Sequence, residues 1–132
     1  MTATQQRSCE VWASNLLYLT FGVSVVADFL LDRGYFAPHK TTGQYLMLYG
    51  ANPLLLFVYY KIREGLKGAK TFFLTLYAFV LLQLLNGGQP PASYDTPLEL
   101  ANLLVQHGLQ IGACLLMLFS LQVPTSTPAK AN

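Results

Sequence analysis

A stripe of polar side chains runs through the most apolar part of this chain. In residues 98–123 (LELANLLVQHGLQIGACLLMLFSLQV), Glu99, Asn102, Gln106 and Gln110 recur at steps of three or four. A helix puts them on one face, with His107 at its edge. Hydrocarbon offers such groups no partner, so they should face other helices or a wet cavity. Asp28 is the second group of this kind. It sits near the end of another apolar run, on a helical face shared with Phe21, Ser24, Val25 and Asp32. A carboxylate inside a span is a functional-site hypothesis by default. Against that, Asp28 lies only about 5 Å of helical rise from the end of its run, close enough to be wetted with Asp32 and Arg33.

Each group has a chemical and a structural reading. His107 can carry a proton, ligate a haem iron, or pack as a hydrogen-bonded ring. The only other histidine, His39, falls in a loop, which argues against a bis-histidine haem within one chain. The favoured reading is an interhelical hydrogen bond from His107 to Asp28 or Gln83, since polar residues often join helices in membranes. Thr96-Pro97-Leu98-Glu99 has the form of a capping box with proline at the first helical position, so Glu99 reads as a cap rather than a catalytic acid. Gly108 and Gly112 form a GxxxG pair that permits close helix approach, within the chain or between copies. Cys9 and Cys114 stand 105 residues apart with no CxxC and no histidine pair, so both read as free thiols and no metal site is expected. There is no GxSxG, HExxH, P-loop or dinucleotide glycine pattern. No catalytic residue is assigned, and no motif implies a cofactor.

The elements that must position these groups are membrane spans. Of 132 residues, 53% are hydrophobic and 11% charged, against about a quarter charged in ordinary soluble domains. The expected fold class is all-α membrane: one four-helix transmembrane bundle over residues 1–123, with a disordered tail at 124–132. The spans are expected at about 11–31, 44–60, 71–86 and 98–123. A rival for the first is a signal peptide, with Arg7 ahead of the apolar run and Val25-Val26-Ala27 as a cleavage site. Its length and Asn15 argue against that. In the second span, Pro53 should kink or open the helix near Asn52. The third span covers roughly 24 Å of the roughly 30 Å core, with Lys70 snorkelling to extend it.

Orientation follows from the basic residues. If the 61–70 loop is cytoplasmic, that side holds Arg7, Lys61, Arg63, Lys67, Lys70 and Lys130, and the other side holds only Arg33 and Lys40. Both termini are then cytoplasmic, and a plasma or inner membrane is the expected location. Asp28, Gln83, Asn86, Asn102, Gln106 and His107 all fall in the outer half, with Asn52 near the middle. The expected candidate site is therefore a polar pocket opening outward above an apolar inner half. Lys61, Arg63, Lys67 and Lys70 can attract anionic head groups, although setting topology suffices to explain them. A net charge of +2 gives no case for nucleic acid.

The layout of GQYLMLYGANPLLLF after a polar GYFAPHKTTG loop, followed by KIREGLKGAK, resembles the DoxX-like four-helix membrane proteins over roughly residues 34–86. The resemblance is one of layout and carries over no functional residue. It implies a redox or quinone association. Three functions compete. The first is a non-catalytic subunit or scaffold that binds membrane lipid or another membrane protein. The second is a lipid-, quinone- or isoprenoid-binding protein or enzyme using the polar pocket. The third is a homo-oligomeric transporter or channel.

Overall fold

The computed structural model describes residues 2–30, 42–46, 50–87 and 97–122, the side chains at 28, 44 and 45 excepted. Within them all regular structure is helical: α1 (Ala3–Leu30), α2 (Thr42–Leu46), α3 (Asn52–Arg63), α4 (Lys67–Leu85) and α5 (Pro97–Leu121). Most of the loop between the first two spans, residues 88–96 with Thr96 of the capping box, and the tail lie outside the described residues.

Three stretches are long and apolar enough to cross a membrane: Ala3–Ala27, Lys67–Leu85 and Pro97–Leu121. α1 starts at Ala3, not at Val11 as the apolar run suggests, and passes unbroken through Val25–Ala27. Its start is set by a reciprocal capping box. The Thr2 N–H donates to Gln5 Oε1 at 2.8 Å, and the Gln5 N–H donates to Thr2 Oγ1 at 3.3 Å. α5 begins at Pro97, where the proline predicts, with Glu99 in its first turn. α4 gains a turn at Lys67–Lys70 over the expected span and so covers about 28 Å.

Residues 47–49 of the second expected span lie outside the described residues; Gly50 and Ala51 are π-helical, and Pro53 sits in the first turn of α3. At 12 residues, α3 is about 18 Å long, shorter than a hydrocarbon core.

α3 stops at a Schellman turn. The Gly65 N–H donates to the Ile62 carbonyl at 2.9 Å and the Leu66 N–H to the Lys61 carbonyl at 3.0 Å. Gly65 holds φ at +84°, a left-handed conformation that favours glycine. α4 then leaves directly, antiparallel to α3. α1 runs antiparallel to α3, since Ser14 Oγ donates to the Tyr59 carbonyl and Tyr18 Oη to the Leu56 carbonyl. It also runs antiparallel to α5, where Gln6 Nε2 donates to the Ser120 carbonyl and Leu16 meets Gly112. α1 is the central strut, with its most extensive packing against α5.

The buried residues form one seam per helix: Ala13, Ser14 and Leu17 on α1, Tyr59 and Ile62 on α3, Phe73 and Tyr77 on α4, Ala113, Met117 and Ser120 on α5. These spacings of three and four are the helical period. Every buried residue among those described lies in the half that holds the α3–α4 turn or near mid-bundle. The bundle is packed at that end. Outside it, large apolar side chains such as Trp12, Phe29, Phe79 and Leu104 are exposed, as expected where lipid replaces water.

Gly65 closes the packed end by close approach. A Cβ there would lie 2.7 Å from Glu10 Oε2. Gly65→Ala is therefore expected to lower stability by about 1–2 kcal/mol from backbone conformation alone, with further loss as Glu10 is displaced. Denaturation of the detergent-solubilised protein, followed by circular dichroism, measures this.

Candidate functional site

Two features stand out: a buried ionic cluster at the packed end and an apolar groove at the other. The cluster lies where four helices converge. Lys70, in the first turn of α4, is fully buried, and its Nζ donates to Glu10 Oε1 at 2.7 Å and to Ser120 Oγ at 3.2 Å. Ser120 passes its own proton to the Met117 carbonyl at 2.8 Å, which leaves its oxygen free to accept from the ammonium. Glu10 is 5% exposed, with its second oxygen 3.8 Å from the Arg7 guanidinium. Arg7 in turn donates to the Arg63 carbonyl at the end of α3. Lys70 does not snorkel, as the short third span suggested. It points into the protein because a paired carboxylate and a hydroxyl await it there.

Around this cluster Arg7, Arg63, Glu64 and Lys67 are exposed and Lys61 is half-buried. Lys61 Nζ lies 2.6 Å from Glu64 Oε2. That hydrogen bond holds the Glu64 carboxyl below its ordinary range and raises Lys61. The Lys61 ammonium also rests 5.5 Å from the Phe57 ring centroid and 5.3 Å from that of Tyr60.

At the opposite end, an open groove of about 470 Å³ runs between α1 and α5. Leu19, Val23 and Val26 line one wall, with Leu98, Ala101 and Val105 on the other. Among the described side chains of the candidate pocket only Asn102 lines it, and the other described lining residues are apolar. Gln106 Nε2 donates to Asn102 Oδ1 at 2.9 Å along their own helix. The polar stripe Glu99–Asn102–Gln106–Gln110 is half-buried and continues into the buried seam Ala113–Met117–Ser120, so it does face the bundle interior.

The remaining candidates scatter. His107 is half-buried, and its Nδ1 lies 3.0 Å from Tyr77 Oη, which is also 3.5 Å from the His107 carbonyl oxygen. Tyr77 is thus a partner of His107; Gln83, one of the two expected partners, is exposed, and the side chain of the other, Asp28, lies outside the described residues. Gln83 and Asn86 are exposed, Asn86 at the C-cap of α4. Asn52 is half-buried at the start of α3, and both Asn52 and Glu99 have interaction partners. Asp28 lies on α1, but its side chain is outside the described residues. Gly112 packs against α1, with Leu16 Cδ1 3.4 Å from where a Cβ would stand, whereas Gly108 opens to free space. Cys9 and Cys114 are free thiols.

Sequence reasoning missed the Glu10–Lys70–Ser120 cluster, and it described the inner half as apolar. A signal was present: Glu10 falls in register with Ala13, Ser14 and Leu17, which places it on the buried face of α1. The continuous apolar run begins only at Val11, directly after Glu10, which hides that register in the sequence. Tyr77 offers a second such signal, since a buried tyrosine hydroxyl usually seeks a partner.

A buried pair broken on one side leaves an uncompensated charge. Glu10→Ala is expected to cost about 3–5 kcal/mol, while Glu10→Leu combined with Lys70→Met should recover most of that loss. Unfolding of the single and double variants in detergent checks both. Tyr77→Phe and His107→Leu should show a coupling energy of roughly 0.6–1.7 kcal/mol in a double-mutant cycle, the range found for hydrogen bonds between membrane helices.

No family model, curated protein or solved structure matches this chain, so the DoxX-like resemblance rests on layout alone.

Proposed function

We propose that this chain is a four-span integral membrane protein of the plasma or inner membrane, with both termini cytoplasmic, which serves as a non-catalytic subunit or scaffold for a membrane partner or lipid. α2 and α3 together would supply the fourth crossing. The observation that carries this reading is that the interior polar groups engage one another. Lys70 is held by Glu10 and Ser120, His107 by Tyr77, and Gln106 by Asn102. A catalytic site needs titratable groups presented to a cavity where substrate can sit. Here the groove between α1 and α5 offers an apolar wall, which suits a partner's helix or a hydrocarbon chain.

That groove also supports a second reading, in which the chain binds a lipid, quinone or isoprenoid. An apolar channel between two helices, with one amide on its wall, fits a long hydrocarbon tail better than it fits a polar substrate.

Native mass spectrometry on protein gently extracted from its own membrane separates these. The subunit reading expects a membrane protein at fixed stoichiometry, lost when Val26→Trp and Ala101→Trp fill the groove. A retained lipid or isoprenoid with no protein partner, lost in the same variants, supports the second reading and overturns the first. A bare homo-oligomer overturns both and directs attention to transport.

A further inference from the structure

We propose that the packed end of the bundle binds an anionic phospholipid, with the headgroup phosphate seated between Arg7 and Lys61. The two side chains line an open depression of about 530 Å³, together with Glu64, Gly65 and Leu66. Charge favours an anion here. Pairing Lys70 with Glu10 and Lys61 with Glu64 leaves Arg7, Arg63 and Lys67 in surplus, a net +3 among the described residues of this end. At the other end the described residues include Asp28 and Glu99 and no lysine or arginine.

Donors are available. The guanidinium of Arg7 carries five N–H groups, of which the Arg63 carbonyl engages the NH1 nitrogen, and its side chain is 54% exposed. The Lys61 ammonium has three protons and shares one with Glu64. A phosphate can therefore join both cations without dismantling the pairs that are present.

The surface around the depression fits a lipid rather than a free phosphate. Phe57, Tyr60 and Leu66 are exposed beside it. The Lys61 ammonium itself sits over the rings of Phe57 and Tyr60, so the cation and exposed apolar surface are adjacent. A phosphate held by Lys61 would direct its acyl chains down along the same rings. This proposal rests on the membrane reading above, though not on the scaffold role.

The test uses the full-length protein in a mild nonionic detergent, titrated with phosphatidylglycerol or phosphatidylcholine and read by native mass spectrometry. Binding of phosphatidylglycerol is expected to be at least about tenfold tighter and to weaken as salt is raised. Lys61→Gln should reduce it roughly fivefold, and Lys61→Gln with Lys67→Gln, which also removes a neighbouring surplus charge, on the order of twentyfold. Both lysines have solvent-accessible side chains, and circular dichroism confirms that the variants keep their helices. Gln83→Ala, at the far end, should leave the preference unchanged. Equal affinity for the two lipids, or a phosphatidylglycerol preference that survives in the double variant, overturns the proposal. Equal competition by glycerol phosphate overturns the lipid assignment. A chain that stays monomeric and soluble without detergent overturns the membrane reading and this proposal together.

Discussion

The contact between Glu10 and Lys70 constrains everything around it. Taking a carboxylate and an ammonium out of water carries a penalty of several kcal/mol per ion, offset only when the pair is close and its remaining valences are filled. The 2.7 Å separation, the Ser120 hydroxyl and the neighbouring Arg7 guanidinium meet that condition. They do so only if α1, α4 and α5 meet at one rotation and one axial register. A turn's displacement of any of these helices would strand a charge. Apolar seams tolerate such slippage far better, because leucine packs adequately against many neighbours. The ionic cluster thus specifies the helix alignment that the surrounding hydrophobic residues stabilise.

The same end ties the helix termini together. Gln6 and Arg7 donate to carbonyls in the last turns of α5 and α3, groups that have no partner within their own helices. Gly65 removes the Cβ that would push Glu10 away. A ladder of rings then carries packing up the bundle, from Tyr18 to Tyr59 at 5.7 Å, Tyr59 to Phe73 at 5.7 Å, and Phe73 to Tyr77 at 6.2 Å. It ends at Tyr77 and His107, the point beyond which the described residues stop being buried. The histidine, on α5, is thus the last member of this ladder.

The two ends accordingly differ in character. One is stitched by ions, hydrogen bonds and rings, and presents a basic collar. The other leaves an apolar groove between α1 and α5.

Sequence by itself determined what depends on neighbours along the chain. Helical type follows from apolar length, the start of α5 from Pro97, and the tight α3–α4 turn from the KIREGLKGAK segment. The Thr2–Gln5 box was legible too, though a polar start drew attention away from it. The interior facing of the Glu99–Gln110 stripe followed from periodicity. Tertiary structure alone decided which polar group met which. Glu10 and Lys70 are 60 residues apart, and Tyr77 and His107 are 30 apart. Whether such pairs meet depends on helix rotation and axial register, which the helical period leaves open. For that reason the described candidates are divided among an along-helix amide bond between Asn102 and Gln106, an interhelical tyrosine contact at His107, and the exposed surface at Gln83 and Asn86, while the Asp28 side chain lies outside the described residues.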